Sequence, residues 1–216
     1  MAEFVRDGLM IAAVALGLVA AVAMALRRRQ ERSILEGWAA RHGWTLETAE
    51  TAEMPMKLAG SVLLQIGHSR RFSAIAGDPQ GVRLFEYACE TGFEHEREQH
   101  HWVGVVVPVE HDKPRATFTR EDWAIALAVR PGFEQIVLGD SVAAASDKNM
   151  RIALVEDAEL WRVALASELG KRLTAEASAR TWEVIPGALV GFEAAPRDES
   201  SVTELASAGK EIARLL

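Results

Sequence analysis

The densest grouping of chemistry-bearing side chains is Glu94-His95-Glu96-Arg97-Glu98-Gln99-His100-His101, with His111 further on; four of the six histidines fall within 17 residues. Imidazole nitrogens and carboxylates are good ligands for zinc or copper, which makes His95, His100, His101 and His111 the candidate metal ligands. Their spacing matches neither H-E-x-x-H on a helix nor a Cys/His finger. Arg97 in the middle of the run and its position between two strands favour a solvated hairpin tip instead. On this reading no cofactor and no catalytic residue is called for.

A second grouping is Ile136-Val-Leu-Gly-Asp-Ser141. A strand followed by Gly-Asp-Ser resembles the nucleophile block of the GDSL (SGNH) hydrolases, which implies an exposed Ser141 at a strand end. The same resemblance implies an Asp-x-x-His downstream, yet all six histidines precede Ser141 and only 75 residues follow it. A turn between strands is the better reading. No G-x-S-x-G, Walker-type loop or G-x-G-x-x-G is present, so the usual hydrolase, nucleotide and dinucleotide signatures are missing. Trp38, Trp44, Trp102, Trp123, Trp161 and Trp182 are not interleaved with basic residues and read as core anchors rather than a stacking platform.

The elements that would position such residues hang from an unusual N-terminal segment. Gly8 to Leu26 holds 19 uncharged residues, 17 of them apolar. As a helix it would be about 28 Å long, close to the roughly 30 Å of a bilayer's hydrocarbon core. Arg27, Arg28, Arg29 and Arg32 follow the run, whereas Glu3, Arg6 and Asp7 precede it. A cleaved signal peptide wants its positive charge in front, so the flanks favour a retained anchor, with the N-terminus out and the rest in the cytoplasm. The four arginines lie where anionic headgroups would be and are expected to contact lipid. Ala13, Gly17, Ala21 and Ala25 recur every four residues and form a small-residue face on which two such helices could pack, although alanine is abundant throughout the segment.

Residues 1 to 32 sum to +2 and the remainder to −9, from a net −7. That acidity argues against a nucleic-acid partner and repels the domain from anionic lipid. A single cysteine, Cys89, allows no internal disulfide. Beyond the basic stop, Leu35, Trp38, Ala39 and His42 share a helix face and Gly43 suits its C-terminal end, which predicts a linker helix through residue 43.

Residues 44 to 119 read as mostly β. Phe72–Gly77 and Val82–Cys89 flank Asp78-Pro79-Gln80-Gly81, whose residue types suit a type I turn. Trp102 to Val109 alternates so that Val103, Val105, Val107 and Val109 share one face, which predicts a strand covered on both sides. Thr91 to His101 reads as a charged loop. Thr119 with Asp122 resembles a capping box opening a helix over 120–130, although the alternation of Trp123, Ile125, Leu127 and Val129 also allows a strand. Short strands are expected at 135–138 and 142–145, a helical stretch after Asp147, and a helix from Asp157 or Glu156 through Leu173. Thr181–Ile185 and Ala188–Glu193 form a hairpin around Pro186-Gly187. Ser201-x-x-Glu204 precedes a helical apolar stripe through Leu216.

The layout resembles a family of bacterial single-pass membrane proteins of unknown function. The likeness rests on the anchor, the basic stop, Trp38-Ala-Ala-Arg-His-Gly-Trp44, strands like Val82-Arg-Leu-Phe-Glu-Tyr87, the aspartate-led Val142-Ala-Ala-Ala-Ser-Asp-Lys148 and a final hairpin plus helix. It implies an α+β domain and no activity. The expectation is therefore a fold of class α+β: a transmembrane helix (8–26) after a short outer tail (1–7), a basic stop and linker helix (27–43), then a cytoplasmic domain (44–216) with a mainly antiparallel sheet and several helices. Its role would be a module in the inner (plasma) membrane that binds a protein partner or self-associates, more as a binder than as an enzyme. The alternative is a metal-dependent or otherwise unrecognised enzyme using the Glu94–His111 region.

Overall fold

A computed structural model describes residues 33–47, 58, 60–62, 67–92, 96–120, 132–138, 151–194 and 198–216. The expectations for the Gly8–Leu26 span, Ala13, Gly17, Ala21, Ala25, the four arginines, His95, Trp123, Ser141 and the 142–145 strand fall outside these residues. Among the described residues no helix is long and apolar enough to cross a membrane.

The chain is α+β, with four helices and nine strands among the described residues: α1 (Ser33–His42), β1 (Thr45–Glu47), β2 (His68–Gly77), β3 (Arg83–Thr91), β4 (Glu98–Pro108), β5 (Ala116–Arg120), β6 (Glu134–Leu138), β7 (Arg151–Val155), α2 (Ala158–Leu165), α3 (Glu168–Glu176), β8 (Thr181–Ile185), β9 (Ala188–Ala194) and α4 (Glu199–Leu215). All nine strands join one sheet in the order β1-β2-β3-β4-β9-β8-β5-β7-β6, antiparallel at every pairing. A sheet buries its apolar faces by layering, and here the helices lie on one side. Leu35, Trp38, Trp161, Leu173, Val202, Leu205 and Ile212 pack there against Leu84, Val103, Val105, Val107, Phe118, Trp182 and Val184.

β4 lies within the sheet as its alternation requires. Val103, Val105 and Val107 face the helices, and Val106 faces the opposite layer. The β2–β3 hairpin turns at Asp78, whose carboxylate accepts from the Gln80 and Val82 amides at 2.9 Å each. Asp78 also accepts from Lys210 of α4 at 2.8 Å, and that ammonium stands 5.4 Å above the Trp44 ring. α1 is fixed nearby: Trp38 Nε1 donates to Thr203 Oγ1 at 2.8 Å and Arg41 pairs with Glu199. Gly43, at φ +69°, ends the helix in the left-handed conformation that glycine adopts without strain.

Several elements differ from the sequence expectation. The expected Thr91–His101 loop is strand at both ends, since β3 runs to Thr91 and β4 begins at Glu98, with Thr91 paired to Glu98 and Cys89 to His100; ladder hydrogen bonds carry a hairpin past the apolar core even where its side chains are polar. Thr119 is not a helix cap but a buried strand residue bonded to Thr181 at 2.8 Å, and Arg120 ends that strand. Arg151–Val155 is a strand where a helical stretch was expected, since a short apolar run covered on both faces has no distinguishing period. The helix opened by Asp157 breaks at Ala166-Ser167 into α2 and α3. Gly170 permits that break, for a Cβ there would lie 2.0 Å from the Leu165 carbonyl oxygen. α4 is capped by Asp198, which accepts from the Ser201 amide, so the helix begins ahead of the expected Ser201.

Candidate functional site

The face of the sheet opposite the helices carries the polar and aromatic groups that could act on a ligand. Strand alternation places them: with Phe118, Trp182 and Val184 committed to the helix side, Thr117, Thr119, Thr181 and Glu183 must face the other way. All four are buried. This polar seam separates two apolar patches, one of Val62, Ile152 and Leu154, the other of Ile75, Phe85, Tyr87, Cys89, Val190 and Phe192.

The segment around Ser61 lies across the seam. Leu58 is buried in the aromatic patch, Val62 in the smaller one, and between them both oxygens of Glu183 accept from the Val62 amide, at 3.0 and 2.9 Å. A buried polar group costs free energy unless it is hydrogen-bonded, so this backbone contact ties the segment to the sheet. Ser61 Oγ is fully buried and has no hydrogen-bond partner.

The aromatic end is built by register. Phe72 pairs with Tyr87 and Tyr87 with Trp102, giving rings on three successive strands, and Trp102 meets Phe192 edge-on at 5.9 Å. Tyr87 is 1% exposed and its hydroxyl has no hydrogen-bond partner. Burial, with the nearby Cys89, pushes its phenol up to about 12, against the pull of Arg70. Burial also raises the Cys89 thiol, although a bond with Trp102 and the charge of Arg70 oppose the shift. A thiol held protonated is a poor nucleophile, and a phenol held protonated is a donor rather than a base. Both groups are buried, and the half-buried rings of Phe72 and Trp102 are the part of this end that meets solvent.

Of the described candidate metal ligands, His100 adjoins this end, its ring stacked on Trp102 at 6.4 Å between centroids, but it, His101 and His111 are not brought together. His100 bonds to Thr91 Oγ1 at 2.7 Å, and its neighbour His101 points to the other face of β4 and is exposed. His111 donates from Nε2 to the Ile185 carbonyl at 2.9 Å, while its Nδ1 is buried without a partner. Among the described residues no group of three or more metal-ligating side chains is gathered. The one signal in the sequence that could have pointed to the seam is Glu183, a charge in the middle of Thr181-Trp-Glu-Val-Ile185 with apolar neighbours on both sides. Trp38, Trp161 and Trp182 are buried anchors, while Trp44 and Trp102 are half-buried.

No family model and no curated protein matches the chain. Among solved structures it is similar to the crystal structure of the mycobacterial trehalose monomycolate transport factor A, TtfA, with 12% sequence identity and a TM-score of 0.53. The match covers 84% of this chain and 91% of that one. At that identity the likeness is one of fold.

Proposed function

We propose that the chain is a single-pass inner-membrane protein whose α+β domain stands on the cytoplasmic side and binds a protein partner or a further copy of itself. The observation that carries this reading is the attachment of α1. Through Trp38 to Thr203 and Arg41 to Glu199 the helix is packed into the domain, and only the six residues 27–32 separate its start from the apolar segment ending at Leu26. A domain joined so closely to a bilayer-length segment would be held at the membrane surface, where the four arginines favour the cytoplasmic side. The surplus of −9 on the remainder keeps its surface off anionic lipid and available to other proteins. Among partners, the transport role named for TtfA favours a component of a transport assembly in the same membrane.

A reporter that is active only in the cytoplasm, fused after Leu216, tests the orientation: activity is expected, and an exported, silent fusion overturns it. Affinity purification from native membranes tests the binding role. A stoichiometric partner, or recovery of differently tagged copies together, supports it; reproducible recovery of the bait alone overturns it.

A further inference from the structure

Arg180 sits where the C-terminal end of α3, the β8–β9 hairpin and α4 meet, and its side chain is only 10% exposed. Its Nε donates to Glu193 at 2.7 Å, Nη1 to Glu176 at 2.8 Å and Nη2 to Glu204 at 3.3 Å. Glu176 also meets Arg172 at 3.2 Å, and Arg172 meets Glu211 of α4 at 2.9 Å. Four carboxylates thus share two guanidinium groups. Glu204 and Glu211 are more than half exposed, so water screens them, whereas the Glu176 and Glu193 side chains are 12% and 11% exposed. One oxygen of Glu193 is buried with no donor at all. β4 pairs Val103 with Glu193 and brings no charge opposite it; its nearest titratable residue on that face is the exposed His101, two positions away.

We infer that this corner holds a proton on Glu193 and works as a pH-sensitive latch between the β8–β9 hairpin and the α3–α4 pair, tightest while the proton is held. One guanidinium cannot neutralise three carboxylates within hydrogen-bonding reach; Glu204 is screened by water and Glu176 has Arg172 as a second cation, so the buried carboxylate with no other donor bears the cost of remaining charged. That residue is Glu193. Burial, with the charges of Glu204 and Glu176, raises its carboxyl above the ordinary value against the pull of Arg180. Arg180 itself stays charged: burial opposes this, but its bonds and charge contacts with Glu176 and Glu193 outweigh burial. A carboxyl raised in the folded state contributes stability that is fully present below its unfolded value and is lost as pH rises through the folded one. The latch therefore loosens toward the alkaline side, opposite to an ordinary salt-bridged carboxylate. The inference does not depend on the membrane reading above.

The test is a 13C titration of the glutamate carboxyls in the full-length chain in lipid nanodiscs, with Glu193 identified from its missing signal in Glu193→Gln. A midpoint above the ordinary 4.5 is expected, and Glu204→Gln, at an exposed site, should lower it. The melting temperature of the wild type should fall as pH rises through that midpoint, and Glu193→Gln should abolish the fall. A Glu193 midpoint at or below 4.5, a midpoint unmoved by Glu204→Gln, or an identical melting profile in Glu193→Gln overturns the inference. Should Glu193→Gln fail to fold, assignment by Glu193→Asp and the Glu204→Gln shift decide it.

Discussion

The indole of Trp182 lies across Gly191, its partner in the β8–β9 register, so closely that a Cβ on Gly191 would stand 2.3 Å from the ring. α4 closes over the same indole at Gly209, whose Cβ would meet Val105 and Val107 at 3.1 and 3.2 Å. A flat ring between two glycines lets the last helix approach the middle of the sheet. Gly191→Ala should therefore overpack this layer and destabilise the domain by about 1–3 kcal/mol. Urea denaturation measures it, and adding Trp182→Leu should recover part of the loss because the clash is removed. Additive losses in the double variant would mean that the two residues do not interact.

α1 depends on polar contacts as well as on its apolar face, and the part-buried one to α4 is made by Trp38. Trp38 donates to Thr203 Oγ1, which in turn donates to the Glu199 carbonyl at 3.1 Å. Thr203→Val keeps the shape and removes the acceptor, at an expected cost of about 1 kcal/mol. Trp38→Ala, which empties a buried position, should cost about 3–5 kcal/mol. Hydrogen exchange should show amides 33–42 losing protection in Thr203→Val while β4 stays protected; uniform loss would mean that α1 unfolds only with the whole domain.

How much of this fold could be read in advance follows the strength of the local signals. The Asp78-Pro-Gln-Gly turn, the Pro186-Gly187 hairpin and the valine alternation of β4 are written in residue types that admit few conformations. Arg151–Val155 is not, because an apolar run covered on both sides looks alike as helix or strand. The strand pairing of Thr91 with Glu98 is invisible for another reason: its side chains are solvated, and only the ladder bonds hold it. The polar seam escapes prediction because Thr119 and Thr181 come together across 62 residues of chain, and only Glu183 marks the place. The Arg180 corner is likewise assembled from α3, β9 and α4, and no spacing in the sequence announces it.

His100, His101 and His111, the described members of the histidine-rich stretch, should not together behave as a metal centre. His100 is bonded to Thr91, His101 faces away from it, and His111 is tied to Ile185 on a different strand. Stoichiometric zinc, nickel or copper is expected to leave the melting temperature unchanged, since a ligand that binds only the folded state would raise it. A rise that His100→Ala or His101→Ala removes would instead assign metal-binding to this end of the sheet.

Tyr87 gives the pH dependence at the alkaline end. It is the chain's only tyrosine, so the absorbance of tyrosinate reports it alone. Burial moves its phenol from 10.0 to about 12. The unfolded chain would thus release this proton first, and the stability Tyr87 contributes is present below 10 and lost as pH rises toward 12. Cys89, also raised by burial, adds an earlier decline of the same sign. Tyr87→Phe removes a buried hydroxyl that has no partner. Because such a group costs free energy to bury, the variant should equal or exceed the wild type at neutral pH, by up to about 1 kcal/mol. Above 10 its melting temperature should fall less steeply, keeping only the Cys89 share. A wild-type tyrosinate midpoint near 10 would mean that the ring is reached by water and that the aromatic end of the sheet is open.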